Sequence, residues 1–299
     1  MPNRFTRTEE GFDRLAHRLL ANAPTSGPLS WLVEFAVFVV KQAWACVFGG
    51  AMLAVIFATS LWYPATASSN GATLAKNDFL TIAAVLIQLV MVVARLETLR
   101  ELRVIVLFHI VGTGMELFKT AAGSWEYESG GVLHIGAVPL FSGFMYAAVG
   151  SYMVRVFRLF DLRFDRYPPR WITAIIAVLI YVNFFTHHWI WDFRYVLLAA
   201  VIVVYARTWM HFRIFRVRLR MPVLLSFLLV AIFIWFAENI GTLSQAWTYP
   251  NQHAGWQLVS VGKLGSWFLL MIISVVLVTW VYRPRPPDRD GEVLQTRYP

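Results

Sequence analysis

The sequence contains a single cysteine, Cys46, and that residue lies inside an apolar run. One cysteine excludes an intramolecular disulfide and a cysteine-rich metal site. The chain also lacks a Walker phosphate loop, a Rossmann glycine fingerprint and a serine nucleophile elbow, so none of those enzyme classes is indicated. The first residues carry several arginines but no short apolar core that ends in a cleavage site. A removable signal peptide is therefore not expected.

Charged residues are scarce as well. They make up 14% of the 299 residues, whereas 58% are hydrophobic, and the mean hydropathy is +0.59. One soluble core cannot bury that much apolar surface, so the composition predicts an all-α membrane protein. The net charge of +9 comes from basic residues spread between apolar runs, not gathered on one soluble face. We therefore expect membrane lipids as partners and no nucleic acid, with the oligomeric state left open.

Eight stretches hold the roughly 20 apolar residues that a helix needs to cross a bilayer. They lie at about 34–62, 79–96, 103–122, 134–160, 171–187, 190–209, 221–241 and 256–282. Arginines concentrate in both tails and in every second connection, and such residues are retained on the cytoplasmic side. The pattern predicts a multi-pass protein of the cell inner membrane with eight transmembrane helices and both termini in the cytoplasm.

A stiff linker, Tyr167-Pro168-Pro169-Arg170, divides the predicted spans into two groups of four. The predicted organisation is a basic cytoplasmic segment at 1–29, a first four-helix repeat at 30–166, a second at 167–283, and a cytoplasmic tail at 284–299.

An internal repeat supports this division. A glutamate in the third span is followed by a tryptophan nine residues on and a tyrosine eleven residues on, and the seventh span repeats the triple after 122 residues. The two copies are Glu116, Trp125, Tyr127 and Glu238, Trp247, Tyr249. Both spans run outward from the cytoplasm, so the repeat is parallel, with a pseudo-twofold axis along the membrane normal.

The two glutamates are the predicted catalytic residues. Each falls near the outer end of its helix, where a charge in hydrocarbon costs about 2.5–3.5 kcal/mol on insertion scales. Each must therefore face the bundle interior or a wet cavity. Removal from water favours the neutral acid, the form that a proton donor requires. The alternative is structural: each glutamate bonds across helices or caps the outer loop.

The predicted substrate-binding residues surround these acids. They are Trp125, Tyr127, Trp247, Tyr249, His109 and Asn239. His109 lies two helical turns before Glu116 on the same face. Histidines near the outer ends of the spans raise the alternative of a metal site, but no pair has the one-turn spacing of helical metal motifs. We therefore expect neither a metal nor a cofactor.

The stretch from Gly112-Thr-Gly-Met-Glu116 through Gly-Ser-Trp125-Glu-Tyr127 to Phe141-Ser-Gly-Phe-Met-Tyr146 resembles the bacterial integral membrane family catalogued as domain of unknown function 817. The resemblance covers about 30–285 and brings no established activity. A fainter similarity is to membrane carotenoid hydratases and small-subunit lycopene cyclases, although the proline–glutamate signature of the cyclases is absent. That similarity implies that Glu116 and Glu238 act as acids that protonate an alkene.

Three functions remain open from the sequence. The first is an intramembrane acid/base enzyme that acts on a lipid or isoprenoid substrate without a cofactor. The second is a proton-coupled small-molecule transporter, in which the same glutamates load and release protons. The third is a non-catalytic membrane scaffold.

Overall fold

The computed structural model describes residues 5–63 and 74–287, and this part of the chain is mostly helical. Residues 1–4 of the predicted N-terminal segment and 288–299 of the predicted tail lie outside it. The α-helices are α1 (Arg7–Leu19), α2 (Pro28–Ala45), α3 (Val47–Trp62), α4 (Lys76–Val93), α5 (Leu99–Ala121), α6 (Phe141–Leu159), α7 (Arg170–Thr186), α8 (Arg194–Tyr205), α9 (Val223–Leu243) and α10 (Lys263–Val281).

Helices α2 to α10 fall within or overlap the eight predicted intervals, with α2 and α3 sharing the first. Four of them, α4, α5, α9 and α10, are long and apolar enough to cross a membrane. Helices α2 and α3 would add a fifth span as a pair, but they meet at Cys46 with a bend of 67°. The described part of the chain thus confirms a mostly helical protein with four full-length candidate spans, or five if α2 and α3 form one; the predicted number of eight is not confirmed.

The remaining predicted spans fall short for different reasons: α6 has 19 residues but carries Arg155 and Arg158, whereas α7 and α8 are shorter helices. Helix α8 has 12 residues, which rise about 18 Å, whereas the hydrocarbon core is about 30 Å thick. Asn183 accepts a hydrogen bond from the Phe193 backbone N–H (2.9 Å) and donates one to Asp192 (3.1 Å). These bonds fold the segment between α7 and α8 into a loop, whereas the sequence predicts that the sixth span begins within it, at about 190.

Two small sheets correct the prediction that the chain is all helical. A two-stranded hairpin, β1 (His134–Ile135) and β2 (Val138–Pro139), occupies the start of the fourth predicted span, so α6 begins only at Phe141. A second, antiparallel sheet has the strand order β3-β4-β5. Strand β3 (Arg163–Asp165) lies between α6 and α7, and strands β4 (Trp209–Arg213) and β5 (Arg218–Pro222) lie between α8 and α9. The hairpin lies inside a predicted span and the three-stranded sheet near the ends of others, and at neither place does hydropathy alone give a strand signal.

Helix α10 is at the centre of the bundle. It packs against α5, α6, α7, α8 and α9, and half of the residues in its apolar stretch are buried. Helices α5 and α6 pack closely together, and α3 contacts both α6 and α9. This arrangement brings helices from the two halves of the chain around one interior space.

A buried ion-pair network holds α1 against the bundle. Arg158 of α6 donates to Glu9 of α1 (2.7 Å) and also to Glu101 of α5, and all three side chains are almost fully buried. Buried charges are costly unless they are paired and hydrogen-bonded. This end of the bundle, which also carries the three-stranded sheet, is called the sheet end below; α5 and α9 finish at the opposite end, called the cavity end.

Candidate functional site

Helices α5 and α9 end with the same backbone geometry. Three backbone N–H to carbonyl hydrogen bonds close each helix. Each bond after α5 has a counterpart after α9 whose donor and acceptor both lie 122 residues later. They are Ala122–Phe118, Gly123–Thr120 and Ser124–Lys119 after α5, and Ser244–Ile240, Gln245–Thr242 and Ala246–Gly241 after α9. The turn residue is in the left-handed region in both copies, with φ of 67° at Gly123 and 55° at Gln245.

The two segments that follow these helix ends pair with each other. The Glu126 backbone N–H donates to the Thr248 carbonyl (2.9 Å), and the Thr248 N–H donates to the Glu126 carbonyl (2.8 Å). These residues occupy the same position in the two copies of the triple. An antiparallel pair that exchanges both bonds has local twofold symmetry, so the pairing relates equivalent residues of the two halves.

Glu116 is 3% exposed and accepts three hydrogen bonds from aromatic side chains. Trp125 Nε1 (2.9 Å) and Tyr127 Oη (2.7 Å) donate to Oε2, and Tyr146 Oη of α6 donates to Oε1 (2.8 Å). Burial and the nearby Glu116 carboxylate raise the pKa of Tyr127 well above its usual value. This phenol therefore keeps its proton at neutral pH and remains a donor.

Glu238, also 3% exposed, is held in a similar way. Tyr249 Oη donates to Oε1, and Trp267 Nε1 of α10 donates to Oε2. Burial, and then the charge on Glu238, raise the pKa of Tyr249, so this phenol too stays protonated. Each glutamate thus receives a bond from the tyrosine eleven residues later and a second from the helix that follows.

Both glutamates line one cavity of about 380 Å³. Most of the lining is apolar and comes from α3, α5, α6, α7, α9 and α10. Four of the predicted aromatic residues also line it, namely Trp125, Tyr127, Trp247 and Tyr249. The rings of Trp125 and Tyr249 meet edge to face, with centroids 6.1 Å apart, so the two copies are in contact at the cavity wall.

The two tryptophans of the repeat have different roles. Trp125 donates to the glutamate of its own copy, but Trp247 lies over Gly241, where an added Cβ would overlap its ring. Trp267 supplies the indole bond to Glu238 instead. At the position equivalent to Gly241 the first copy has Lys119, so the two halves present different groups to the cavity.

His109 and Asn239 are not among the residues that line the cavity. The His109 ring packs edge to face on Phe144, with centroids 4.4 Å apart. The Asn239 side chain is bound to backbone: it donates to the Trp235 carbonyl (2.8 Å) and accepts from the Val259 N–H (2.9 Å). Asn239 therefore holds the segment before α10 in place, and it does not line the cavity.

Several residues of the site were not predicted from the sequence. Tyr146 and Trp267 complete the two carboxylate sites, and they lie 121 residues apart, one fewer than the 122 residues between Glu116 and Glu238. Three cations, Lys119, Arg194 and Lys263, also line the cavity. No sequence pattern brings these three together, because they belong to three different helices.

The histidines near the cavity end do not gather into a metal-binding set. Within residues 5–63 and 74–287, no three or more His, Cys, Asp or Glu side chains lie close enough to hold one ion. His187 and His188 stack with ring centroids 4.2 Å apart and face Lys119.

Comparison with known proteins identifies the family. The profile described as "Protein of unknown function (DUF817)" matches residues 34–275. The chain is also 47% identical, over 205 residues, to the "Uncharacterized protein YoaT" of Bacillus subtilis (strain 168); the match covers 69% of this chain and 78% of that protein. No solved structure matches the chain significantly. The family profile spans most of the chain, both glutamates included, and the chain therefore belongs to the DUF817 family.

Proposed function

We propose that this protein is a polytopic inner-membrane enzyme that carries out acid/base chemistry on a lipid or isoprenoid substrate in the cavity, with Glu116 and Glu238 as its acid and base. One observation carries the proposal: two buried carboxyl groups from different halves of the chain line the same largely apolar cavity. Ionisable groups at such depth are costly and are characteristic of functional sites in membrane proteins.

The cavity favours an apolar substrate. Its volume of about 380 Å³ lies in the range of small-molecule sites, and its lining offers few polar groups besides the glutamates, their aromatic donors and the three cations. Aromatic hydrogen bonds fix the orientation of both carboxyl groups. One glutamate can deliver a proton to a carbon–carbon double bond while the other removes one from a neighbouring carbon. That reaction balances in protons and electrons without a cofactor.

The proposal includes eight membrane crossings in two parallel four-helix halves, with both termini in the cytoplasm. The arginine-rich connections support this orientation. The matching ends of α5 and α9, and the pairing of Glu126 with Thr248, support a parallel duplication. In this topology the short helices α7 and α8 are the fifth and sixth crossings, and both pack against the central helix α10.

The test compares lipid extracts by mass spectrometry from a wild-type strain, a deletion strain, and the deletion strain complemented with variants. We expect the deletion to change the abundance of a lipid or isoprenoid, and Glu116→Gln and Glu238→Gln to fail to restore it at normal membrane abundance. Glu126→Gln is the matched control, because this exposed carboxyl group lies at the same end of the bundle. It should restore the wild-type profile.

Two outcomes would overturn the enzyme proposal. The first is an identical lipid profile in the wild-type and deletion strains. The second is loss of both glutamine variants from the membrane while Glu126→Gln accumulates normally, since that would assign the glutamates a structural role only.

A proton-coupled carrier is the second candidate, and the twofold relation between equivalent residues of the two halves favours it, because many carriers are built from such repeats. The assay is proton uptake into liposomes that contain the purified protein and a pH-sensitive dye. Uptake in the wild type that is absent from Glu116→Gln and Glu238→Gln, together with an unchanged lipid profile, would favour the carrier over the enzyme.

A further inference from the structure

Three cationic side chains meet at one end of the cavity. Lys119 comes from the last turn of α5, Arg194 from the first turn of α8 and Lys263 from the first turn of α10. Lys119 is only 4% exposed; its Nζ lies 3.1 Å from His188 Nε2 and 4.1 Å from the centre of the Phe184 ring. A cation so deeply buried normally has a carboxylate partner.

Neither lysine has such a partner among the described residues. In the part of the chain that the structure describes, no carboxylate lies within 4.0 Å of Lys119 or Lys263, whereas Arg194 pairs with Asp192 at 3.1 Å. Lys263 instead lies over aromatic rings, with its Nζ 4.1 Å from the centre of Tyr249. Glu238 attracts Lys263 from beyond ion-pairing distance.

The cations also repel one another. Lys119 lies within electrostatic range of both Lys263 and Arg194, and Asp192 is the acidic group that attracts it. Like charges at the edge of an apolar cavity interact through a low effective dielectric, so the repulsion is stronger than it would be in water. An anion between them would relieve this repulsion and neutralise both lysines.

We propose that the ligand of this cavity is an amphiphile with a phosphomonoester headgroup, which lies between Lys119, Lys263 and Arg194 while its apolar chain extends along the cavity. The inference rests on the proposed function, because it takes the cavity as the substrate site. A phosphomonoester carries about 1.5–2 negative charges near neutral pH and three acceptor oxygens. It therefore matches two unpaired lysines, whereas a carboxylate would leave one of them unbalanced.

The asymmetry of the two halves gives the ligand one orientation. The position of Lys119 is occupied by Gly241 in the second copy, and Trp247 fills the space over that glycine. Among the described residues that line the cavity, no cation takes the equivalent position beside Trp247. The headgroup binds on the Lys119 side, and the chain then passes both carboxyl groups.

The test measures binding to the purified full-length protein in nanodiscs through quenching of intrinsic tryptophan fluorescence, because tryptophans line the cavity. The probes are farnesyl phosphate, farnesol with the same chain but no charge, farnesoic acid with a carboxylate, and inorganic phosphate alone. We expect farnesyl phosphate to bind at least about tenfold more tightly than the other three, since each lysine contributes a charge-assisted bond.

Lys119→Met and Lys263→Met should each weaken farnesyl phosphate binding by about tenfold and leave farnesol binding unchanged. Lys76→Met is the matched control, because Lys76 lies at the same end of the bundle, bonds to the Ser244 carbonyl and does not line the cavity. Circular dichroism and size-exclusion profiles of all three variants identify any that fail to fold.

Equal affinity for farnesol and farnesyl phosphate would overturn the headgroup assignment and leave the acid/base proposal standing. Equal affinity for inorganic phosphate would show that the cations recognise free phosphate, and would overturn the amphiphile. Tighter binding of farnesoic acid would assign a carboxylate in place of the phosphate. The acid/base proposal fails separately, through an unchanged lipid profile in the deletion strain.

Discussion

The hydrogen bonds around Glu116 predict how much the substitution Tyr146→Phe costs. Tyr146 supplies the bond to Oε1, while Trp125 and Tyr127 both bond to Oε2. Three donors directed at one carboxyl group suit the ionised form, which accepts hydrogen bonds and donates none. Phenylalanine removes one donor without changing the ring that packs over Gly112.

The magnitude follows from the charge on the acceptor. A hydrogen bond to a charged group contributes about 1.5–3 kcal/mol, whereas hydrogen bonds between helices in a membrane average about 0.6 kcal/mol. We therefore expect Tyr146→Phe to lower the free energy of unfolding by about 1.5–3 kcal/mol. Tyr152→Phe is the control: Tyr152 is also on α6 and lines the cavity, but its Oη lies a long 3.4 Å from Gln42 Oε1.

The assay is equilibrium unfolding of the purified variants by sodium dodecyl sulfate in mixed micelles, followed by tryptophan fluorescence. Tyr152→Phe should cost no more than the roughly 0.6 kcal/mol of an average neutral bond. Equal losses for Tyr146→Phe and Tyr152→Phe would refute the reasoning, because they would show that Glu116 is a neutral acceptor in the resting protein.

Three further predictions concern other parts of the molecule. Arg158→Met should destabilise the protein by about 3–5 kcal/mol and make α1 sensitive to protease, because it leaves two buried carboxylates unpaired; unchanged proteolysis would contradict this. Gly241→Ala should displace Trp247, seen as a shift in fluorescence emission, because a Cβ there overlaps the indole ring. Partial burial, and then the charge of Lys119, hold the pKa of His188 below that of a free histidine. The unfolded chain therefore binds a proton at this residue before the folded protein does, so lowering the pH through the pKa of a free histidine should destabilise the fold. Lys119→Met should raise the pKa of His188, as measured by NMR titration of the imidazole.

The sequence predicted the positions of the long helices well because hydropathy reports directly on the solvent around them. It predicted less well where polar contacts decide the ends, as in α8, which stops after 12 residues. The sheet formed by β3, β4 and β5 also had no local signal. Its geometry depends on contacts between segments that are far apart in the chain.

The glutamates of the site were predictable because repetition and spacing are visible in one sequence, and the structure brings both to one cavity. The donors Tyr146 and Trp267 were not predicted, since each comes from a neighbouring helix whose rotation is set by packing. Asn239 directly follows Glu238 in the sequence. On a helix, adjacent side chains point in different directions, and Asn239 bonds to backbone.

The bonds between Glu126 and Thr248 join main chain to main chain, so substituting either side chain leaves both bonds available. They hold the two halves in a fixed relative position at the very end where the cavity lies.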